Sequence, residues 1–416
     1  MHVDSCLCDR TLYTSGMGLE LIAHGSQGEL YLLNENTVIK ALVNQTDRAR
    51  EYEVYQKLSV NSNGDFHSIR RTTPALMSDM KLKNEMHKLK PSDVKMLQTA
   101  CGLSATESIV NNILVMERIN GKTLHETTLH GVTLHNSFLF VSHLIAAVRT
   151  VHHHGIAHCD LNAANIMIRH GSVVIVDFAS SVDITSAASV GISYPKTTWQ
   201  VVAPEILISG SNTIIKTVPT LDICNDINND TLSPLCKDSK LSGCGVSGYV
   251  KLYDIQVDKC DMFAVGIASL SVMLGLNRSC FFSDSEAFKH LIHVARGIYG
   301  GGKNIAAKTA LELWGIYYIL GDIGTLDQNN MKPTDTTQTC LHMYERMMIE
   351  TCGCWPPTNS HAVAALEAFR RCPLVNSYRQ VVQTLPLVHQ HILVSLLHPI
   401  TLNRCWPLLV DKDKLY

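Results

Sequence analysis

The polypeptide begins its patterned part with short alternations of apolar and polar positions. From residue 19 it reads LELIA, a glycine-containing turn HGSQG, ELYLL, a polar turn NENT, then VIKAL. Period-two runs bounded by turn residues predict an antiparallel hairpin followed by a third strand. Residues 46–58, TDRAREYEVYQKL, change to helical spacing, with Thr46 or Asp47 as the cap. Residues 61–112 are mixed and polar, carry Arg70, Arg71, Lys81, Lys83, Lys88, Lys90 and Lys95 against few acids, and are expected to form an insertion. A further apolar strand, ILVMERI, follows at 113–119.

From about residue 136 the character changes to long apolar helical segments. The first, NSFLFVSHLIAAVRTVHHH, is broken at Gly155. Two β-like pieces, NIMIRH and SVVIVDF, flank a turn at Gly171, and a polar stretch rich in Cys and Asn at 209–258 precedes renewed helical periodicity at Asp261. The most apolar stretch, Met262 to Leu276, is about 15 residues long and contains Ser269 and Ser271, short of the roughly 20 that a bilayer span needs. A buried core helix is expected. The plan is a small strand-rich lobe followed by a larger helical one, without internal repeats.

Composition narrows the class. The 416 residues are 46% apolar and only 17% charged, with a formal net charge of −2, so large cores are available and charge-driven disorder is excluded. A near-neutral balance argues against a partner held by one strong field, so neither nucleic acid nor a membrane surface is expected. The 14 Cys are scattered without a repeated spacing and are expected as reduced thiols of an intracellular protein. The start, MHVDSCLCDR, has no basic region followed by an apolar stretch and predicts no secretory leader.

The chemistry lies in three places. A glycine turn, Ala23-His24-Gly25-Ser26-Gln27-Gly28, followed by a strand with one lysine, Lys40, is a way to hold nucleotide phosphates. Alone it is a weak signal, since many plain surface hairpins contain two glycines. The second place is His158-Cys159-Asp160-Leu161-Asn162-Ala163-Ala164-Asn165, with Asp177-Phe178-Ala179 following twelve residues after Asn165. An Asp, an Asn five residues on, and a second Asp after a short hairpin supply one base and two oxygen ligands for hard metal ions. The third is Ala203-Pro204-Glu205, whose Glu205 lies 28 residues beyond Asp177.

In order and spacing this set resembles that of the eukaryotic-type protein kinases over roughly residues 18–275, and more weakly to the end. The resemblance implies an α+β, two-lobed protein-kinase-like fold with a small antiparallel-sheet N-lobe and a larger helical C-lobe. Its divisions would be a short extension at 1–17, an N-lobe at 18–117 with the insertion 61–112, and a C-lobe at 118–416 with insertions 209–258 and 277–360. It implies ATP and Mg2+ as cofactors and protein substrates as partners. Asp160 would orient the attacking hydroxyl, and Asn165 and Asp177 would hold the magnesium. Lys40 would grip phosphates, fixed by Glu51, with Glu53 as the rival. Ile22, Leu30, Val38 and Met167 would enclose the adenine, with Met116 behind it and backbone groups of Glu117 and Ile119 at its edge. Gly25 and Gly28 would approach the phosphates. Asp261 would support the catalytic loop, Arg404 would pair with Glu205, and Thr198 would meet Asp160. Each of these is otherwise an ordinary core or turn residue.

Four positions depart from the pattern: Ala23, Cys159, Asn162 and Ala179. Cys159 removes the cation that usually pairs with a phosphorylated activation loop, so activity independent of that modification is expected. Asn162 stands where serine/threonine kinases commonly have a lysine, which leaves a working kinase and a pseudokinase scaffold both open. The Ala-Ala-Asn ending is similar to some tyrosine kinases, whereas Thr198 favours serine or threonine as acceptor. The divergent loop and the long insertion together resemble the conserved herpesvirus tegument serine/threonine protein kinases. That likeness implies viral and host protein substrates and a place in the host nucleus and the virion tegument. A small-molecule phosphotransferase of the same fold is the remaining alternative. The basic stretch from Arg70 to Lys95 reads as a solvated insertion or a dock for acidic segments. The run His152-His153-His154 lacks a neighbouring Cys pair for zinc, and Cys236, Cys244, Cys352 and Cys354 read as incidental thiols.

Overall fold

Strands β1 (Glu20–His24), β2 (Gly28–Asn34), β3 (Thr37–Leu42) and β4 (Ile113–Glu117) form an antiparallel sheet in the order β1-β2-β3-β4. The computed structural model describes residues 19–25, 28–60, 73–76, 87, 89–106, 108–127, 133–184, 192–193, 198–205, 214–215, 256–276, 281–282, 285–299, 304–321, 340–345, 360–399 and 404–407. The chain divides into two units, Met1–Tyr52 with Ala75–Asn120, and Glu53–Pro74 with Gly121–Tyr416.

In the first unit, Leu30 pairs with Lys40, Lys40 with Leu114, and Val38 with Met116. Because side chains alternate along a strand, Leu30, Val38, Lys40, Leu114 and Met116 share one face. Tyr31, Ile39, Ala41, Ile113 and Val115 occupy the other, and there they form a core with Leu97, Cys101 and Ile109. Leu97 lies on α2 (Pro91–Ala100), and Ile109 starts a 3-10 turn leading into β4. The second half of the 61–112 stretch, expected as an insertion, thus closes the core behind the sheet. Lys90 and Lys95 are exposed, while Arg70, Arg71, Lys81, Lys83 and Lys88 lie outside the described residues.

Helix α1 (Gln45–Val60) corrects the expected cap. The side-chain oxygen of Asn44 accepts the Thr46 N–H at 2.9 Å and the Thr46 hydroxyl at 2.7 Å. An Asx residue one position before the helix satisfies an otherwise orphaned amide. Asp47 then sits in the first turn, where a negative charge complements the helix dipole.

In the second unit, α3 (Leu134–His153) is capped by the Thr133 hydroxyl, which accepts the Asn136 N–H at 3.2 Å. It is stopped by Gly155, whose φ of +70° a side chain would resist. Strand β5 (Lys122–Thr123) joins the hairpin of β7 (Ile166–Arg169) and β8 (Ser172–Ile175). The short β6 (Ile156–Ala157) pairs with β9 (Val182–Asp183). Helix α4 (Val257–Met273) is buried at every position from Cys260 to Met273, as its uniform apolarity predicts.

Helices α5 (Glu286–Tyr299), α6 (Asn304–Leu320), α7 (Ser360–Arg370), α8 (Pro373–Thr384) and α9 (Leu387–Leu397) complete the described part. Phe282 packs its ring 5.1 Å from Phe369 and 6.0 Å from Phe288, and Trp314 lies 5.7 Å from Phe369. Residues of 277–360, expected as an insertion, therefore supply part of the aromatic core. Residues 1–17 and most of 209–258 lie outside the described residues, as do Cys236, Cys244, Cys352 and Cys354. No described helix is long and apolar enough to cross a membrane.

Candidate active site

Lys40 projects from β3 on the face opposite the apolar core. Its ammonium donates to both carboxylate oxygens of Glu51, at 3.0 and 2.8 Å. The Glu51 side chain is fully buried and that of Lys40 is 11% exposed, so the pair is shielded from screening. Glu53 is exposed, which decides between the two acids. Val54, Tyr55 and Leu58 are buried at the +3, +4 and +7 positions from Glu51, so helical spacing identifies the acid that turns inward.

The glycine turn is closed by the Gly25 N–H donating to Gly28 O at 2.9 Å. A Cβ on Gly28 would stand 2.1 Å from the Ala41 carbonyl oxygen, so this glycine is demanded by the close passage of β2 over β3. Ser26 and Gln27 lie outside the described residues. Ile22 and Leu30 are half-buried, while Val38 and Met116 are buried on the Lys40 face. The Glu117 N–H is committed to Ala75 O at 2.8 Å. Ile119 donates its N–H to no described residue.

In the second unit the loop from His158 to Asn165 is built on Asp261, at the start of α4 and 1% exposed. Its carboxylate accepts the His158 N–H at 2.6 Å, the Cys159 N–H at 2.8 Å, and a hydrogen bond with His152 Nε2 at 2.9 Å. Cys159 has a φ of +64°, a conformation that costs a non-glycine residue roughly 1–3 kcal/mol. Two charge-assisted hydrogen bonds to a buried carboxylate exceed that cost. Within the histidine run, His152 helps anchor the loop. Among the described residues no cluster of three or more His, Cys, Asp or Glu could hold a metal ion.

His158 is held from both ring nitrogens. Nε2 donates to Val176 O at 2.9 Å, and Nδ1 accepts the Asp160 N–H at 3.2 Å. A carbonyl only accepts and an amide N–H only donates, so the partners fix the tautomer. The ring packs 4.9 Å from Phe178, which is fully buried and meets Tyr55 edge-on at 5.3 Å. Its neighbour Asp177 has a φ of +64°.

Asp160 is met from two sides. Thr198 N–H donates to Oδ1 at 2.8 Å, and Asn165 Nδ2 lies 3.4 Å from Oδ2 and donates to the Asp160 carbonyl at 2.8 Å. With its amide nitrogen so committed, the Asn165 side-chain oxygen accepts from no described residue. An amide oxygen turned away from its own hydrogen-bonded end, with the carboxylate of Asp177, is the donor set a magnesium ion takes when phosphate oxygens complete its shell. The residues fit that ion. Met167 lies half-buried on β7 in this unit.

Glu205 and Arg404 form a bidentate pair at 2.6 and 2.7 Å, both side chains fully buried. The remaining guanidinium N–H groups go to His398 O at 2.8 Å, Lys259 O at 3.3 Å and Pro399 O at 3.3 Å. Burial opposes the charge of Arg404, but the Glu205 carboxylate beside it outweighs this and raises its pKa. Cys260 donates its thiol to Glu205 Oε1 at 3.4 Å. Burial first, and then Glu205, push that thiol well above its usual value, so it stays a donor.

Sequence reasoning missed several anchors. His152, Cys260 and the ion pair of Lys57 with Asp183 carried no local signal, because each partner is distant in the chain.

A family model described as a protein kinase domain matches residues 66–219. That span contains Asp160, Asn165, Asp177, Thr198 and Glu205; Lys40 and Glu51 precede it, and Asp261 and Arg404 follow it. No curated protein matches the chain. The match, with an antiparallel-sheet N-terminal region and a helical C-terminal region, makes the fold α+β and kinase-like, and supports a phosphotransferase of the protein kinase type.

Proposed function

We propose that the chain is an ATP-dependent serine/threonine protein kinase. The observation that carries the reading is the Thr198 N–H donated to Asp160 Oδ1 at 2.8 Å. It brings the segment before Ala203-Pro204-Glu205 onto the one carboxylate of the loop that can take a proton. A threonine at this point of the segment, where serine/threonine kinases place one, supports serine or threonine as the acceptor.

In the proposed reaction the acceptor hydroxyl oxygen attacks the γ-phosphorus and passes its proton to Asp160. The bond from that phosphorus to the β–γ bridging oxygen breaks, and ADP leaves. Asn165 and Asp177 are the residues that would hold a magnesium ion, which when bound would neutralise charge on the phosphates. In the first unit Lys40, paired with Glu51, would grip the nucleotide phosphates as the resemblance implies, and the Ile119 N–H would suit an acceptor on the adenine edge. Asp177, in a left-handed conformation, directly precedes the buried Phe178.

The resemblance to the conserved herpesvirus tegument kinases extends the proposal to viral and host protein substrates, in the host nucleus and the virion tegument. Purified protein given ATP labelled at the γ-phosphate, together with a mixture of basic and acidic proteins and with an aminoglycoside and a sugar as small acceptors, tests the reading. Label in phosphoserine and phosphothreonine, lost with Lys40→Met and Asp177→Ala, is expected. Label only in phosphotyrosine would overturn the acceptor assignment. Label only in a small molecule would favour the alternative phosphotransferase, and nucleotide binding with no transfer a pseudokinase scaffold.

A further inference from the structure

The catalytic loop carries a neutral side chain at Asn162, and its surroundings define a role for it. The Oδ1 of Asn162 accepts the Ala164 N–H at 2.9 Å. Since an amide N–H can only donate, this fixes which end of the side chain is oxygen. The nitrogen end is thereby aimed at Thr198, and Nδ2 donates to Thr198 Oγ1 at 3.0 Å. Thr198 in turn gives its backbone N–H to Asp160 Oδ1 at 2.8 Å. The backbone closes the circuit, because the Asn162 N–H donates to the Asp160 carbonyl at 2.9 Å. Asp160, Asn162 and Thr198 therefore form a ring of hydrogen bonds linking the loop to the segment before Ala203.

Thr198 opens a 3-10 turn, Trp199–Val201, with no side-chain cap of its own. Its hydroxyl is thus available to the loop, and Asn162 takes it. Each link has ordinary length and an unambiguous donor. The ring leaves the Thr198 hydroxyl hydrogen donating to no described residue.

We propose that Asn162 is a positioning residue, which through the Thr198 hydroxyl fixes the rotamer of the Asp160 carboxylate without contributing charge to phosphoryl transfer. This rests on the kinase reading. In that reaction the base must face the acceptor hydroxyl within hydrogen-bond reach, and a misplacement of about 1 Å costs on the order of 100-fold in rate. An untethered Thr198 would let its N–H leave Oδ1, and the carboxylate would then rotate among several orientations. The effect belongs to the transfer step, so it reads in kcat; KM for ATP is set by other groups.

The test compares wild type with Asn162→Ala, Asn162→Asp, Asn162→Lys and Thr198→Val in steady-state transfer, with a thermal melt of each. Asn162→Ala and Thr198→Val should each lower kcat by about 10- to 100-fold, with KM for ATP within about twofold and the melting temperature within about 2 °C. The double variant Asn162→Ala with Thr198→Val should be no slower than the worse single one, since both break the same link. Asn162→Lys, which keeps a donor, should stay within about threefold of wild type, whereas Asn162→Asp, of equal size but without a donor, should fall as far as Asn162→Ala.

Unchanged kcat in Asn162→Ala, multiplicative losses in the double variant, or a melting temperature that falls in step with kcat each overturns the positioning role while leaving the kinase reading intact. Absence of transfer by the wild type overturns both.

Discussion

Replacing Arg404 by Met tests how the Ala203-Pro204-Glu205 segment is held. All five guanidinium N–H groups are engaged, two by Glu205 and three by backbone carbonyls. The substitution leaves Glu205 as a fully buried carboxylate that still accepts from the Cys260 thiol at 3.4 Å. Stripping one partner from a buried ion pair costs about 3–5 kcal/mol. At about 4 kcal/mol the unfolding equilibrium moves roughly 900-fold, by the 1.36 kcal/mol per decade conversion. At roughly 2 °C per kcal/mol for a large unit, the melting temperature should fall by about 8 °C. Glu205→Leu alone should cost about as much, because the guanidinium is then the stranded charge. The double variant, with no buried charge left, should cost less than either single one. Urea unfolding followed by tryptophan fluorescence gives all four corners of the cycle. A loss under about 1 kcal/mol in Arg404→Met, or strictly additive losses in the double variant, would refute the reasoning.

Further predictions concern the loop, the pH dependence and the activation segment. Asp261→Ala should destabilise the protein by about 3 kcal/mol or more, since it strips two backbone N–H groups and releases the left-handed Cys159; a thermal melt measures this. His389 and His391 have their pKa values lowered by burial, which penalises the charged ring. With folded values below the unfolded value of about 6.5, the unfolded state binds the protons first, so stability is full above that pH and declines as pH falls through it. Melting temperatures from pH 7.5 to 5.5 should show this fall, and His389→Leu should flatten it; an unchanged slope would count against it. Cys159, buried where an arginine would serve a phosphorylated loop, leads to the expectation that phosphatase treatment leaves phosphoryl transfer within about twofold, well short of the tenfold that 1.4 kcal/mol represents. The Lys57 and Asp183 pair is about one-third exposed, so Lys57→Met should cost no more than about 1 kcal/mol in a melt.

The strands around the glycine turn and the long helices were readable because their periods, two and near 3.6, are local properties. Helix α4 gave itself away by uniform apolarity, and Glu51 by the buried positions at +3, +4 and +7. Helix α2 was hidden inside a polar stretch. Its inward residues, such as Leu97, are few, and they become core only against Tyr31 and Ile39 on the far face of the sheet. The Asn44 cap was missed because three candidate cap residues lie within four positions, and only backbone geometry chooses among them. His152 and Asp261 are 109 residues apart, and Glu205 and Arg404 are 199 apart, so their pairing is a property of packing. Motif order could suggest the second pair; nothing in the sequence suggested the first.

The central claim is that Asp160 receives the proton of an acceptor hydroxyl. The direct measurement is the single-turnover rate of γ-phosphoryl transfer by wild type and Asp160→Asn, with circular dichroism and nucleotide affinity recorded for both. Asn keeps the shape and accepts from Thr198 N–H, but it cannot take the proton. A rate lowered by about 100- to 10,000-fold, with fold and nucleotide affinity unchanged, is predicted. Equal rates in the two proteins would contradict the account.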